Sequence, residues 1–307
     1  MVTTLLLKQL VIFFIYMGAG FLLVKIGIMK AEDSRIFSLL SIYVLLPCAI
    51  LKSYQADYTP EIRDGFMLAM GAALASQLIL MVVTYAISRF YKLDPTEKAS
   101  IMYPNSANLI LPLVAGVLGD HYMIYASAYS CVQGLFIWTH CTSMMKGTKD
   151  LNWKKVFLNL NLITVVVGII LFFAQVHFPG LILDTLGGFS AALGPISMIV
   201  IGMLLYNVDW KNLFSNKRVY FVVALKMVIL PLIAAIIFKY SGIHNLVKDG
   251  DMILLVTLFA IMAPSATLIT QLAQLNNRDE KYAAAINALT TVLCIFTMPM
   301  ITMWYMG

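Results

Sequence analysis

Between Tyr103 and Val114 the sequence reads YPNSANLILPLV. Two prolines, Pro104 and Pro112, bracket Asn105, Ser106 and Asn108 inside an otherwise apolar run. Proline has no backbone N–H, and its ring clashes with the carbonyl one turn back, so a helix through this stretch should kink or unwind at both prolines. A broken helix creates a new N-terminus, whose unpaired N–H groups and partial positive charge suit an anion, a carboxylate above all. The short side chains of Asn105, Ser106 and Asn108 can cap such a half-helix or reach a bound anion. A second stretch, PSATLI from Pro264, offers the same chemistry through Ser265, Thr267 and Thr270. The candidate binding residues at the two breaks are therefore Pro104, Asn105, Ser106, Asn108, Pro264, Ser265 and Thr267.

Helices must carry these breaks at membrane depth. The chain has 307 residues, 61% of them hydrophobic and 12% charged. Apolar runs of about 20 residues, the span of a bilayer, recur along its whole length. This composition excludes a soluble fold, and the runs lack the short alternating pattern of a membrane β-barrel. The expected class is an all-α polytopic membrane protein. Ten spans are predicted, at 4–27, 34–55, 64–90, 97–118, 121–144, 154–176, 185–207, 217–240, 250–274 and 280–305. The first run, Leu5 to Ile28, is too long for the core of a cleavable signal peptide and reads as a span. Backbone groups freed in lipid cost several kcal/mol each unless satisfied. Spans four and nine, with their breaks, are therefore expected inside the bundle.

Charge sets the orientation. Numbering the loops alternately from the N-terminus places fifteen Lys and Arg residues on one side and five on the other, with Lys226 inside a span. The rich side is cytoplasmic by the positive-inside rule. Both termini then lie outside the cytoplasm of a plasma (inner) membrane protein. The net charge of +6 is a topology signal. Scattered through loops, it is no nucleic-acid footprint, and no nucleic-acid partner is expected.

The second half echoes the first. PNSANLI in span four is matched by PSATLI in span nine, with one residue dropped. DHYMIYASAY from Asp120 is matched by DEKYAAAIN from Asp279, and LLPCAIL in span two by LGPISMIVIG in span seven. Each half holds five spans, an odd number, so two successive copies insert with opposite orientation, as in many secondary transporters. The expected organisation is a first repeat at 1–145, a short cytoplasmic loop at 146–153 and a second, inverted repeat at 154–307.

At these residues the chain resembles the auxin efflux carrier family, which includes the plant PIN carriers and bacterial malate- and malonate-permease-like proteins. The resemblance rests on PNS with Pro112 and Leu113 downstream, on GPISMIVIGMLL, on LKMVILPLI and on NALTTVLCIFTMPMI, and it covers essentially the whole chain. It implies ten helices in two inverted five-helix repeats, with helices four and nine broken and crossing near mid-membrane. It also implies an anionic substrate beside that crossing, an elevator-like motion and a homodimer. In the family the Asn after the first-repeat proline contacts the carboxylate, and Asn105 occupies that position. Ser265 stands where the plant carriers have a different polar residue, so substrate identity does not transfer.

Other polar residues fall within the spans. Gln133 and Asn287 neighbour the broken helices in the implied fold and join the candidate site. Gln77 and Gln271 read as interhelical hydrogen-bonding amides, and Tyr43 and Pro47 as lining of the pocket's opposite wall. Lys226, about two turns into its span, is expected to snorkel to the headgroups. No Asp or Glu is expected at mid-membrane, which argues against a carboxylate proton relay. Sodium held by carbonyl, hydroxyl and amide oxygens, and uniport, both stay open. No cofactor and no metal ligand set is expected, and the four cysteines read as buried thiols. Intramembrane protease signatures are absent, so an enzyme is not expected. Two alternatives to a carrier of small carboxylates remain: a sodium-coupled carrier of larger organic anions, resembling bile-acid symporters, and a sensor that binds a carboxylate without flux.

Overall fold

The computed structural model describes residues 2–148, 158–208, 210 and 217–307, and among these residues regular structure is helical. In chain order the helices are α1 (Val2–Lys25), α2 (Ala31–Ser53), α3 (Pro60–Tyr91), α4 (Pro95–Met102), α5 (Ser106–Val117), α6 (123–146), α7 (Leu160–Phe173), α8 (Gly180–Tyr206), α9 (Lys217–Tyr240), α10 (Gly250–Met262), α11 (Thr267–Leu275) and α12 (Glu280–Met306). Six of them, α1, α2, α3, α8, α9 and α12, are long and apolar enough to cross a membrane. The protein is a multi-pass membrane protein. The expected loop at 146–153 lies outside the described residues from 149 onward.

Local chemistry explains where the helices start and stop. Thr59 accepts from the Ile62 N–H at 3.2 Å to open α3, and Asn159 accepts from Asn161 and Leu162 to open α7. Asp94 and Glu97 form a reciprocal capping box at the start of α4, which satisfies donors that a helix N-terminus leaves unpaired. Asp279 accepts from the Tyr282 N–H at 2.9 Å to open α12. Gly147, at φ +71°, closes α6 in the left-handed conformation that glycine adopts without strain.

Proline explains three of the irregular turns inside helices. Wide π-helical turns at Ser41–Leu45, Ser106–Ile110 and Leu225–Ile229 each end just before a Leu-Pro pair, at Pro47, Pro112 and Pro231. Widening the preceding turn relieves the clash between the proline ring and the carbonyl four residues back. This corrects one expectation. Pro112 does not break its helix, because the π turn absorbs it, and α5 runs unbroken from Ser106 to Val117. The true interruptions are 103–105, between α4 and α5, and 263–266, between α10 and α11.

The helices associate in two groups. In the first, α1 packs along α8, and α2 packs on α7 and α8. Backbones touch where glycines allow it: a Cβ on Gly20 would lie 2.2 Å from the Ile199 carbonyl oxygen, and one on Gly202 1.9 Å from that of Met17. Small residues permit this closeness in membrane helices. In the second group α3 packs on α4, α6 and α10, while α12 packs on α9 and α11. Both interrupted pairs, α4–α5 and α10–α11, are buried at their breaks, with Tyr103, Asn105, Ser106, Ala263 and Ser265 all 4% exposed or less.

Candidate functional site

The two interruptions face each other and pair. Pro104 and Ser265 form an isolated antiparallel bridge. The Asn105 N–H donates to the Pro264 carbonyl at 2.7 Å, and the Ala266 N–H donates to the Tyr103 carbonyl at 3.0 Å. Side chains from neighbouring helices take up two more carbonyls. Gln133 of α6 donates to the Pro104 carbonyl at 2.5 Å, and Asn287 of α12 donates to the Ser265 carbonyl. The Ser265 N–H reaches the Thr290 hydroxyl at 3.2 Å. Backbone that would be costly in lipid is thus satisfied inside the protein.

Beside this crossing lies a cavity of about 140 Å3. Its near wall is Pro104, Asn105, Ser106, Asn108, Gln133 and Thr267. Its far wall comes from α2, α7 and α8, the first packing group, through Ser41, Ile50, Asn161, Val165 and Ser197 among others. The site therefore sits where the two groups of helices meet. None of the described side chains lining it carries a formal charge.

Hydrogen bonding separates capping from availability. Neither α5 nor α11 has a side-chain cap at its N-terminus. The Asn105 side chain is buried, its Nδ2 has no partner among the described residues, and it lines the cavity. Because no cap bond forms at Asn105, its side chain does not close the helix. The Ser106 hydroxyl donates to the Gln133 Oε1, so both residues are engaged with each other. Asn108 Oδ1, Ser41 Oγ, Asn161 Oδ1 and Ser197 Oγ are likewise buried, unpartnered and on the cavity wall. Buried polar atoms are normally paired. All five belong to residues that line this one cavity.

Not every residue singled out from sequence lies on this surface. Pro264, Ser265 and Asn287 lie behind the crossing, where they build it without lining the cavity. Tyr43 is 59% exposed and Pro47 is buried elsewhere, so the expectation that they line the opposite wall is corrected. Their neighbours Ser41, Ile42 and Leu46 do so instead, because the π turn at Ser41–Leu45 rotates the face that α2 presents. Gln77 donates to the Met102 carbonyl at 3.3 Å, as an interhelical amide does. Lys226 is also corrected. Its side chain does not snorkel: it is 1% exposed and its ammonium donates to the Ile261 carbonyl at 3.1 Å.

Ser41, Asn159, Asn161 and Ser197 were not singled out from sequence. Their only signal is a polar residue within or at the head of an apolar run, which hydrogen bonding between helices explains equally well.

No curated protein matches the chain. Residues 5–152 and 148–302 match the family described as membrane transport protein. This is a family of transporters and not of enzymes. With two interrupted helices paired beside a cavity, and a family match that runs nearly from end to end, the chain belongs to the membrane transport proteins of the auxin efflux carrier family.

Proposed function

We propose that the protein is a secondary transporter of small organic anions, with a carboxylate held at the crossing by Asn105. The observation that carries this reading is Asn105, which lines the cavity beside the new N-terminus of α5 and whose buried amide nitrogen has no partner among the described residues. An amide N–H and the free N–H groups of a helix start are donors that suit a carboxylate. At about 10–15 Å3 for each water-sized position, a cavity of about 140 Å3 holds about ten such positions, which favours a small anion over a bulky sterol-like one.

The same reading assigns the architecture. Ten spans result if α4–α5 and α10–α11 are each counted as one broken helix. Residues 1–145 and 154–307 are then two inverted repeats. Matched hydrogen bonds support this: Gln133 and Asn287, from spans five and ten, each hold a carbonyl of the break in their own half. The helices around the crossing would move as a body against α1, α2, α7 and α8, in an elevator-like step that carries the site across the membrane. Residence in the plasma membrane, termini outside the cytoplasm and a homodimer complete the proposal.

Uptake and counterflow of radiolabelled malate, malonate and indole-3-acetate into proteoliposomes, with and without a sodium gradient, test it. Saturable flux of one carboxylate, competed by the others, is the expected result. Binding without flux would favour a sensor, and strict dependence on sodium would favour a coupled symporter.

A further inference from the structure

Among the described residues, two charged side chains are fully or almost fully buried, Glu97 and Lys226. Glu97 is neutralised by Arg218. Lys226 has no carboxylate within ion-pairing distance among the described residues. One of its three N–H groups donates to the Ile261 carbonyl. Ile261 lies in the last turn of α10, immediately before the interruption. The final carbonyls of a helix lack helical partners, and that end carries partial negative charge, so a cation is at home there.

The first half of the chain makes the matching contact with a neutral group. Gln77 of α3 donates to the carbonyl of Met102, the last residue of α4. Met102 and Met262 each stand two residues before the proline of their break, Pro104 and Pro264, and Lys226 takes the carbonyl one residue earlier. Capping the end of an interrupted helix therefore needs only an amide donor. The positive charge in the second half is an addition that capping does not explain.

Its position suggests what the charge is for. Ile261 is three residues from Pro264, whose carbonyl accepts the Asn105 N–H. A few residues of chain thus separate the ammonium from the anion site, which puts the two at most about 10–15 Å apart. We propose that Lys226 is the resident cation of the transport site: a fixed ammonium that supplies the positive charge an anion at the crossing requires, and that makes a bound coupling cation unnecessary there. This inference rests on the carboxylate reading above. At about 10–15 Å and an effective dielectric of about 20, one unit charge is worth about tenfold in affinity for a monoanion and about a hundredfold for a dianion.

The test is equilibrium binding of radiolabelled indole-3-acetate and malonate to the full-length protein in nanodiscs, in sodium chloride and in choline chloride. Wild type is compared with Lys226→Arg and Lys226→Gln. Wild type should bind equally in both salts, and Lys226→Arg should bind within about threefold of it. Lys226→Gln, which copies the Gln77 contact, should lose about tenfold for indole-3-acetate and about a hundredfold for malonate, with its unfolding midpoint unchanged. Lys226→Met, which keeps the stem and removes the charge, serves in its place if the Gln variant does not fold. Equal losses for the two ligands would make Lys226 a structural cap and overturn the proposal. A sodium requirement in wild type, or no loss in the neutral variants, would overturn it too. If wild type binds no carboxylate at all, the carboxylate reading falls and this inference with it.

Discussion

At the scale of single residues, the wall of the cavity carries neutral polar side chains. Asn105 supplies a donor, and Ser41 and Ser197 supply hydroxyls that donate or accept. Replacing Ser41 and Ser197 together by alanine should raise KM for the transported anion several-fold and leave the maximal rate nearly unchanged, as radiotracer uptake in proteoliposomes would show. A hydrogen bond to a charged group is worth about 1.5–3 kcal/mol when both partners are held, and less where water can substitute. The place of Asn105 at the break and on the cavity wall was legible from sequence because a proline beside it forces the helix to open. Ser41, Asn161 and Ser197 were not. They come from three helices distant in sequence, and a serine or asparagine in an apolar run looks the same whether it faces a cavity or a neighbouring helix.

At the scale of elements, the breaks hold because the surrounding helices are fixed to them. Glu97, at the start of α4, accepts from Arg218 Nη2 at 2.7 Å and from the Tyr282 hydroxyl at 2.9 Å, tying α4 to α9 and α12. Arg218 also reaches the Lys92 carbonyl at 2.7 Å. Glu97→Gln should cost about 2 kcal/mol, because it weakens charge-assisted bonds at a fully buried acid, and should lower the unfolding midpoint in detergent by several degrees. The sequence marked the breaks themselves but placed one too many. Pro112 looked like Pro104, yet its helix widens by one residue per turn instead of parting. The difference lies in partners: the 103–105 segment has the second break to bond with, and among the described residues Pro112 has no such strand-like partner. Gly202→Leu probes the opposite kind of contact. Its side chain would enter the Met17 backbone, and loss of folded, monodisperse protein is the expected outcome by size-exclusion chromatography.

At the scale of the whole molecule, the cavity lies between two groups of helices, so closing the seam should stop transport without dismantling either group. Gly134 of α6 lines the cavity, and a Cβ there would meet Leu162 of α7 at 3.3 Å. Gly134→Leu should abolish counterflow while leaving the thermal midpoint within a few degrees of wild type. Orientation is separately testable. The fifteen-to-five bias of basic residues predicts that a cysteine introduced at Gly307 reacts with an impermeant thiol reagent in intact cells, whereas one at Thr148 reacts only after permeabilisation. Helical class and membrane insertion were legible because bilayer-length apolar runs leave few other solutions. The seam was not, since nothing in a single span says which neighbour it packs with.

We propose that the paired interruptions form a carboxylate site through Asn105. The most direct measurement is the dissociation constant of a radiolabelled carboxylate for purified wild-type protein and for Asn105→Ala, each shown to be folded by its unfolding midpoint. Losing one charge-assisted hydrogen bond should weaken binding by about 10–100-fold. Equal affinity in the two proteins would contradict the account and move the binding site away from the crossing.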